Sequence, residues 1–310
     1  MIEDDDGACR TLDPPYRQSC LAFLYFIHAD RRSKFWEFGI FSDERYHIRG
    51  GNQQIPARLT EALEGQIERG MWLVALARAA SGRYRMTFDG PGGTVDREAD
   101  AVVLATPFST LRNVHLDESL GLPAWKRYAI DNLDYGTNAK TMVGFDQRVW
   151  RDAGCSGLVY ARGLSDVQVA WETNPDDGGP RGVITDYAGG TRGAALRPNR
   201  VQRQVGDWLA GMDQVIPGMR AAASRDARGN YTAILQHWPS VPTALGSYTN
   251  NQPGYFTTIA DNEGKRVDNL LFVGEHADSF YAWQGFMEGA AASGVRAGTE
   301  LLHDIKSGVL

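Results

Sequence analysis

Residues 269–306 constrain the fold of this chain more than any other stretch. The apolar run 270–273 ends at Gly274, and this pattern predicts a short buried strand followed by a loop. From about Gly285, small and apolar residues recur at helical spacing: Met287, Ala290, Ala291, Gly294, Ala297, Leu301 and Ile305. A helix face of Ala and Gly lets another backbone or a flat ligand approach closely, although each Gly costs up to about 1 kcal/mol relative to Ala. The stretch therefore predicts a strand and a helix packed tightly in an α/β layer.

Length and composition narrow the class of protein. The 310 residues suffice for one large or two ordinary domains, and 43% of them are hydrophobic, so a substantial core can form. A net charge of −6 favours neither nucleic acid nor an anionic membrane surface as a partner. Cys9, Cys20 and Cys155 are too few and too scattered for a disulfide framework or a zinc site. The N-terminal residues are acidic and no apolar run reaches 18 residues, so we expect a soluble, cytoplasmic protein.

The C-terminal stretch resembles the signature of the flavoprotein amine oxidases, the family of monoamine, polyamine and L-amino-acid oxidases. The resemblance is strong over residues 235–303 and weak over 45–150. Its matching residues are Phe272, Val273, Gly274, Glu275, residues 283–290, Ser293, Gly294, Arg296 and Ala297.

The resemblance implies an FAD cofactor and assigns residues to it. Gly274 and Glu275 are expected at the pyrophosphate and ribityl part of FAD, and Leu73 at the adenine through its main chain. Phe286 and Met287 are expected where the helix N-terminus points at the pyrimidine edge of the flavin. Unpaired N–H groups at the positive end of a helix stabilise the negative charge of a reduced flavin, which supports this placement.

The resemblance also implies how the flavin is held and where the substrate lies. Trp238 is expected beside the flavin, nine positions before Ser247, where monoamine oxidases have a cysteine bonded to the flavin. Because serine cannot make that link, we expect non-covalent FAD. Tyr248 and Phe286 are expected as two aromatic walls that flank the amine, exclude water and interact with an ammonium group. Trp238, Tyr248 and Phe286 are thus the predicted catalytic-site residues.

The glycine-rich turn G-x-G-x-x-G that normally holds the FAD pyrophosphate is not found in this sequence. The nearest candidates are residues 90–93, which lie between two predicted strands, and residues 189–193, which have the wrong spacing. Both are predicted to be turns. Lys140, on another predicted strand, is expected to be solvated or to lie at a sheet edge.

We therefore predict an α/β protein that combines two domains. One is an incomplete FAD-binding domain, Rossmann-like and of glutathione-reductase type, formed by residues 49–150 and 241–310. The other is a substrate domain with a mixed, largely antiparallel sheet flanked by helices, formed by residues 1–48 and 151–240.

The resemblance implies oxidation of the C–N bond of an amine or amino acid. Hydride would move from the α-carbon to flavin N5, the imine would hydrolyse, and oxygen or another acceptor would reoxidise the flavin. One alternative is a flavin-dependent desaturase or isomerase of the same superfamily. Another is a non-catalytic structural subunit or a truncated relic.

A partner chain is the last expectation from the sequence. The strand at 270–273 normally belongs to a sheet whose central strands come from the dinucleotide-binding half, and exposed apolar strand edges promote aggregation. We therefore expect a hetero-oligomer with a separate subunit that carries the G-x-G-x-x-G half. A small-molecule amine or amino acid is the expected substrate, and neither nucleic acid nor a membrane is expected as a partner.

Overall fold

The computed structural model of the chain describes residues 19–22, 24, 48–161, 163, 164, 166–175, 177–279 and 283–310. Most of the segment 1–48, which the sequence assigns to the substrate domain, lies outside these residues. Within the described ranges, no helix has the length and apolar character needed to cross a membrane. The same ranges contain no group of three or more His, Cys, Asp or Glu side chains placed to hold a metal ion.

The described residues form strands and helices in alternation. The strands are β1 (Trp72–Arg78), β2 (Tyr84–Gly90), β3 (Gly93–Ala99), β4 (Val102–Leu104), β5 (His115–Leu116), β6 (Ala139–Phe145), β7 (Val159–Tyr160), β8 (Val169–Glu172), β9 (Gly182–Ala188), β10 (Ala233–His237) and β11 (Leu270–Phe272). The helices are α1 (Gln54–Ala62), α2 (Phe108–Leu111), α3 (Ala124–Asn132), α4 (Val149–Asp152), α5 (Gly190–Ala195), α6 (Val201–Val215), α7 (Met219–Ala222), α8 (Tyr255–Thr258) and α9 (Met287–Ser307).

Two compact units divide the chain. Unit A contains Asp134–Pro253, and unit B contains Ser19–Leu133 together with Gly254–Leu310. The predicted α/β class is confirmed, because helices accompany both parallel and antiparallel strands. The assignment of FAD-binding and substrate roles to these units, and of boundaries near 150 and 240, stays a prediction.

Unit A is built on an antiparallel sheet with the strand order β10-β6-β9-β8-β7. Strand β6 shows why the sheet has one buried face: Ala139, Thr141, Val143 and Phe145 are buried at alternate positions. Because successive side chains in a strand point to opposite faces, these four share one side. Val143 and Phe145 pack in one core cluster with Trp208, Leu209 and Met212 of the amphipathic helix α6. Helix α6 thus covers the buried face.

Unit B contains two sheets. Strands β3, β2 and β1 form an antiparallel meander, and β5 pairs with β1 in parallel. Strands β4 and β11 form a separate parallel pair, in which Leu271 lies opposite Val103. Helix α9 packs on this pair, since Leu271, Val273 and Ala297 share a core cluster. The predicted buried strand and small-residue helix are both present, but the packing face of the helix differs from the predicted one. Gly289, Ser293 and Ala297 are buried, whereas Met287, Ala291, Gly294 and Ile305 of the predicted face are exposed.

The two glycine-rich segments, residues 90–93 and 189–193, differ in secondary structure. Residues 90–93 form the predicted hairpin turn, in which Gly90 pairs with Gly93 and Gly93 has a φ of +104°. The prediction of a turn at residues 189–193 is wrong, because α5 begins at Gly190. A Cβ at Gly193 would overlap the carbonyl oxygen of Thr137, so glycine is needed there for close packing. Neither segment is a phosphate-binding turn between a strand and a helix of the required spacing.

A buried charge cluster joins β8 to α4 in unit A. The carboxylate of Glu172 lies 3.1 Å from the guanidinium Nε of Arg148, and both side chains are almost completely buried. Arg151 donates to Glu172 at 3.0 to 3.1 Å, and Trp150 Nε1 donates to the same carboxylate at 3.0 Å. A buried carboxylate that satisfies two guanidinium groups cannot be removed without leaving uncompensated charge.

We expect Glu172→Gln to lower the free energy of unfolding by about 3 kcal/mol, because it leaves the buried Arg148 without its counter-charge. The matched control is Glu61→Gln, which breaks an exposed i,i+3 pair with Arg58 and should cost less than about 1 kcal/mol. Urea unfolding monitored by circular dichroism measures the free energy of unfolding of each variant. Equal costs for the two variants would contradict the structural role given to Glu172.

Candidate functional site

The turn after β11 is held against helix α9 in unit B. Gly274 N donates to Ser293 Oγ at 3.0 Å, and the same hydroxyl lies 3.1 Å from the Gly274 carbonyl oxygen. Gly274 has a φ of +131°, and a Cβ there would meet the ring of His276 within 2.8 Å. Glycine is therefore required at this position. The half-buried Glu275 follows directly and begins a 3₁₀ turn, Glu275–Ala277.

The N-terminus of helix α9 has a phenylalanine as its N-cap residue. Phe286 precedes the helix in an extended conformation, and no side chain of the described residues caps it with a hydrogen bond. The first N–H groups of a helix have no acceptor within the helix, and they carry partial positive charge. Phe286 is half-buried with its ring 6.0 Å from that of Trp283, and Met287 is 64% exposed. This helix end suits the electron-rich edge of a flavin.

Helix α9 begins two residues later than the sequence predicts. Gly285 has a φ of +83°, which a helix does not accept, so Gly285 belongs to the turn before the helix. The turn folds back closely on the helix, because a Cβ at Gly289 would overlap the carbonyl oxygen of Trp283. The helix end is thus placed by the conformation of residues 283–286.

Leu73 lies near the start of β1, which is the strand that the sequence assigns to the adenine of FAD. Its pairing partner is Phe88, and the register with β2 shifts between Leu73 and Ala75. Such irregularities interrupt the regular ladder of backbone hydrogen bonds. The register skips Val74, whereas Leu73 itself is paired, so the main-chain contact between Leu73 and the adenine stays a prediction.

Trp238, Ser247 and Tyr248 belong to unit A. Trp238 follows β10 directly and is 39% exposed. Ser247 Oγ donates to Asn138 Oδ1 at 2.7 Å, and Tyr248 accepts at its backbone oxygen from Gly136 N at 2.8 Å. The Tyr248 hydroxyl lies 2.8 Å from the Tyr187 hydroxyl on β9. These contacts fix the segment that carries the predicted amine wall.

The second face of the unit A sheet is half-open and aromatic. Lys140 of β6 pairs with Tyr187 of β9, and the ring of Trp171 on β8 lies 5.5 Å from that of Tyr187. Lys140 Nζ lies 5.6 Å from the centre of each of these two rings. The hydroxyl contact with Tyr248 connects the predicted amine wall to the same face.

Among the described residues of the sheet strands, this face carries one cation and no carboxylate. Residues directly opposite each other on paired strands share a face, so its members follow from the strand register. They are Lys140, Met142, Gly144, Tyr160, Val169, Trp171, Val183, Thr185, Tyr187, Ile234 and Gln236. The acidic residues of these strands, Glu172 and Asp186, lie on the buried face, where they pair with arginines.

Lys140, Trp171 and Tyr187 are residues that the sequence analysis did not assign to the site. Lys140 is exposed, which confirms the first of its two expected positions, solvated rather than at a sheet edge, since β6 lies between β10 and β9. The alternation along 139–145 contained the signal that Lys140 faces away from the core. Its neighbours on β8 and β9 depend on register, which alternation within one strand does not reveal.

The predicted site residues fall into both units. Trp238 and Tyr248 lie in unit A, whereas Leu73, Gly274, Glu275, Phe286 and Met287 lie in unit B. Within unit B, Gly274 and Met287 are connected through α9, which begins at Met287 and carries Ser293. The roles assigned to these residues stay predictions.

A glycine turn after a parallel strand and a helix N-terminus without a side-chain cap are compatible with binding of an anionic or electron-rich group. Residues 6–302 match the family described as flavin containing amine oxidoreductase, so the chain belongs to that family. The resemblance stated from the sequence is confirmed. The predicted FAD cofactor is confirmed at the level of the family.

Two curated relatives show the range of the family around this chain. It is 25% identical over 225 residues to polyamine oxidase 4 of Oryza sativa subsp. japonica, covering 73% of this chain and 43% of that protein. It is 24% identical over 268 residues to the putative L-amino-acid oxidase YobN of Bacillus subtilis, covering 83% of this chain and 52% of that protein. The chain thus spans about half the length of the relatives it matches.

Solved structures share the fold. Cyclohexylamine oxidase from Brevibacterium oxydans superposes with a TM-score of 0.70 at 18% identity, covering 95% of this chain and 62% of that one. Wild-type putrescine oxidase bound to putrescine superposes with a TM-score of 0.67 at 18% identity, covering 82% of this chain and 53% of that one. The α/β fold with mixed sheets is therefore that of the flavin amine oxidases.

We expect all of the FAD to be released when the flavin-loaded protein is precipitated with acid, because Ser247 cannot form a thioether and its hydroxyl is already bonded to Asn138. Absorbance of the supernatant and of the redissolved pellet measures the two fractions. Ser247→Ala should release the flavin equally. Yellow colour that remains with the denatured wild-type chain would show covalent attachment and contradict this expectation.

Proposed function

We propose that this chain is part of an FAD-dependent enzyme that oxidises the C–N bond of a monoamine or amino acid. Family membership supports flavin-dependent oxidation. The observation that carries the substrate class is the aromatic face of the unit A sheet, whose described residues include no carboxylate. When bound, FAD would accept the hydride that leaves the α-carbon of the amine. The imine that results would hydrolyse in water, and oxygen or another acceptor would reoxidise the flavin.

The residues of unit B are proposed to bind the flavin. Leu73 contacts the adenine through its main chain, and Gly274 and Glu275 meet the pyrophosphate and ribityl part. Phe286 and Met287 present the first N–H groups of α9 to the pyrimidine edge, where negative charge develops on reduction. The uncapped helix end and the positive φ of Gly274 support these roles.

The residues of unit A are proposed to bind and orient the amine. Tyr248 and Tyr187 present a continuous aromatic wall, since their hydroxyl groups are in contact. Aromatic rings exclude water and interact with an ammonium group before it loses its proton. Trp238 is proposed to lie beside the flavin, and Phe286 of unit B is proposed as a further amine wall.

The charges on the sheet face favour an amine with one cationic centre. Lys140 is the one cation among the described residues of this face, and none of these residues can neutralise a second ammonium group. Two cations 6 Å apart repel by roughly 3 kcal/mol at an effective dielectric constant of 20. A diamine or polyamine is therefore disfavoured along this face, whereas an apolar, aromatic or carboxylate-bearing substituent is accepted.

We expect a panel of substrates to separate these classes in the flavin-loaded enzyme. A primary monoamine or neutral amino acid should be oxidised with kcat/KM at least about tenfold above that of putrescine or spermidine, because the repulsion exceeds 1.4 kcal/mol. Hydrogen peroxide release or reduction of an artificial acceptor measures the rates. A preference for polyamines would contradict the substrate class. Turnover of a carotenoid-like substrate without amine oxidation would favour a desaturase.

The amine wall has its own test. Tyr248→Ala should raise KM or lower kcat by about tenfold, depending on the substrate, with little loss of bound FAD. The matched control is Tyr128→Ala on α3, a half-exposed tyrosine in unit B. Loss of FAD or unfolding in Tyr248→Ala would show that Tyr248 is a core residue.

We also propose that a separate subunit carries the dinucleotide-binding half. The support lies on α9, whose outer face exposes Met287, Val295, Leu302 and Ile305. Gly294 and Gly298 lie on the same helix, and a Cβ at either would meet no atom within 4 Å. The parallel pair β4–β11 has no further strand among the described residues, although parallel sheets are normally covered.

Co-expression with candidate subunits tests this proposal. We expect a complex in size-exclusion chromatography that is yellow, and we expect Val295→Glu on the outer face of α9 to abolish it. Val215→Glu at the end of α6 is the control, since Val215 is also exposed. A purified chain that is monodisperse alone, with one FAD per chain, would contradict the proposal.

A cytoplasmic location is proposed as well, supported by the unpaired Cys20 and Cys155.

A further inference from the structure

A buried polar network lies beneath the turn that precedes α9 in unit B. Its centre is Glu263, whose side chain is completely buried and whose Oε1 accepts from the hydroxyl of Tyr255. Gln284 Nε2 lies 2.7 Å from the Tyr255 hydroxyl, 3.1 Å from Glu263 Oε1 and 3.1 Å from the carbonyl oxygen of His276. One carboxamide thus connects the end of the 3₁₀ turn, helix α8 and the loop after α8.

Lys126 holds the same loop from the side of helix α3. Its ammonium group is completely buried and donates to the carbonyl oxygens of Asn262 and Glu263. Lys126 Nζ also lies 3.9 Å from the ring centre of Phe272 on β11. The loop that carries Glu263 is therefore fixed between α3 and the strand that leads to Gly274.

Burial changes the ionisation of every titratable group in this network. It lowers the pKa of Lys126 to about 7 and raises the pKa of Glu263 to about 7. Burial and the nearby Glu263 raise the pKa of the Tyr255 hydroxyl, so tyrosine is the donor to the carboxyl group. Burial, together with Lys126, lowers the pKa of His276 to about 3, so its ring is neutral. Such a network depends on hydrogen bonding because water cannot replace lost partners.

Ordinary core packing does not require a carboxamide at position 284. Glu263 Oε2 and His276 Nε2 are buried and make no hydrogen bond with the described residues, so the network is not fully satisfied. Retaining buried polar groups costs stability relative to apolar ones. Gln284 instead lies at the start of the turn that determines where α9 begins. It is followed by Gly285 in a left-handed conformation and by the extended Phe286.

We propose that Gln284 is a positioning residue for the flavin, anchored by Glu263 and Tyr255, and that it fixes the N-terminus of α9 against the pyrimidine edge. The inference rests on the proposed contacts of Phe286 and Met287. If the hydrogen bonds of Gln284 are lost, the turn relaxes and the first N–H groups of α9 move away from the flavin. Both FAD affinity and the stabilisation of the reduced flavin then fall.

Gln284→Leu removes the carboxamide at nearly constant volume. We expect the dissociation constant for FAD to rise about tenfold, as for the loss of one to two hydrogen bonds, and the flavin midpoint potential to become more negative. Gln214→Leu on α6 is the matched control, because its carboxamide bonds only to the exposed helix backbone of Ala210. Fluorescence titration of FAD into the apoprotein and a dye-coupled redox titration measure the two quantities.

A swap of the two groups distinguishes positioning from a purely structural role. Gln284→Glu places two carboxyl groups within hydrogen-bond distance and should weaken FAD binding, whereas Gln284→Glu combined with Glu263→Gln restores one amide and one carboxyl group. We expect the double variant to recover FAD affinity and midpoint potential in part, because it restores the contact between positions 284 and 263 but not the donor to the His276 carbonyl oxygen. The proposal is overturned if the melting temperature falls and recovers while FAD affinity and potential stay at the wild-type values.

If Gln284→Leu does not fold, Tyr255→Phe tests the same proposal. This variant keeps the aromatic ring and removes the hydroxyl group that accepts a hydrogen bond from Gln284. It should weaken FAD binding in the same direction, and unchanged affinity and potential would overturn the proposal. These readouts require bound FAD but no substrate. A protein that shows the expected shifts yet oxidises no amine would refute the proposed function and leave the positioning role intact.

Discussion

The close approach of helix α9 to strand β11 is the contact on which the proposed flavin site depends. Gly289, Ser293 and Ala297 are the buried residues of the helix, and they recur every four positions on one side of it. Their small size lets Ser293 reach both backbone groups of Gly274, and it lets Arg296 donate to the carbonyl oxygen of Phe272 at 3.1 Å. Larger side chains would move the helix, and with it both ends of the proposed flavin-binding turn.

The same requirement explains why α9 tolerates its glycines. Each Gly within a helix lowers its intrinsic stability by up to about 1 kcal/mol, so tertiary contacts have to compensate. At Gly289 the compensating contact is the close approach of the Trp283 carbonyl oxygen, which a side chain would prevent. Gly294 and Gly298 have no such contact among the described residues, which is why their face is proposed to meet a further subunit.

Unit A separates its two sheet faces by charge. The buried face pairs each carboxylate with arginine, as in Glu172 with Arg148 and Asp186 with Arg192, whereas the half-open face carries aromatic rings and Lys140. A carboxylate on the open face would attract a second ammonium group, so its absence bears on substrate choice. The alternation of strand β6 produces both faces from one segment, 139–145.

The sequence was sufficient for features that depend on local pattern. The strand at 270–272, the small-residue helix and the hairpin at 90–93 are all confirmed, because periodicity and turn residues determine them. It was not sufficient where distant segments meet. The network of Lys126, Glu263 and Gln284 joins residues up to 158 positions apart in the chain, so no local sequence pattern could predict it. Gly190 was misread as part of a turn because its helix is short and rests on packing against Thr137.

In the proposed function, hydride moves from the α-carbon of a monoamine to bound FAD. Anaerobic single-turnover mixing of the flavin-loaded enzyme with benzylamine, and with benzylamine deuterated at the α-carbon, tests this directly by the loss of oxidised-flavin absorbance. We expect complete bleaching that is several-fold slower with the deuterated amine. Flavin that stays oxidised with benzylamine and with neutral amino acids, or a reduction rate unaffected by deuterium, would contradict the account.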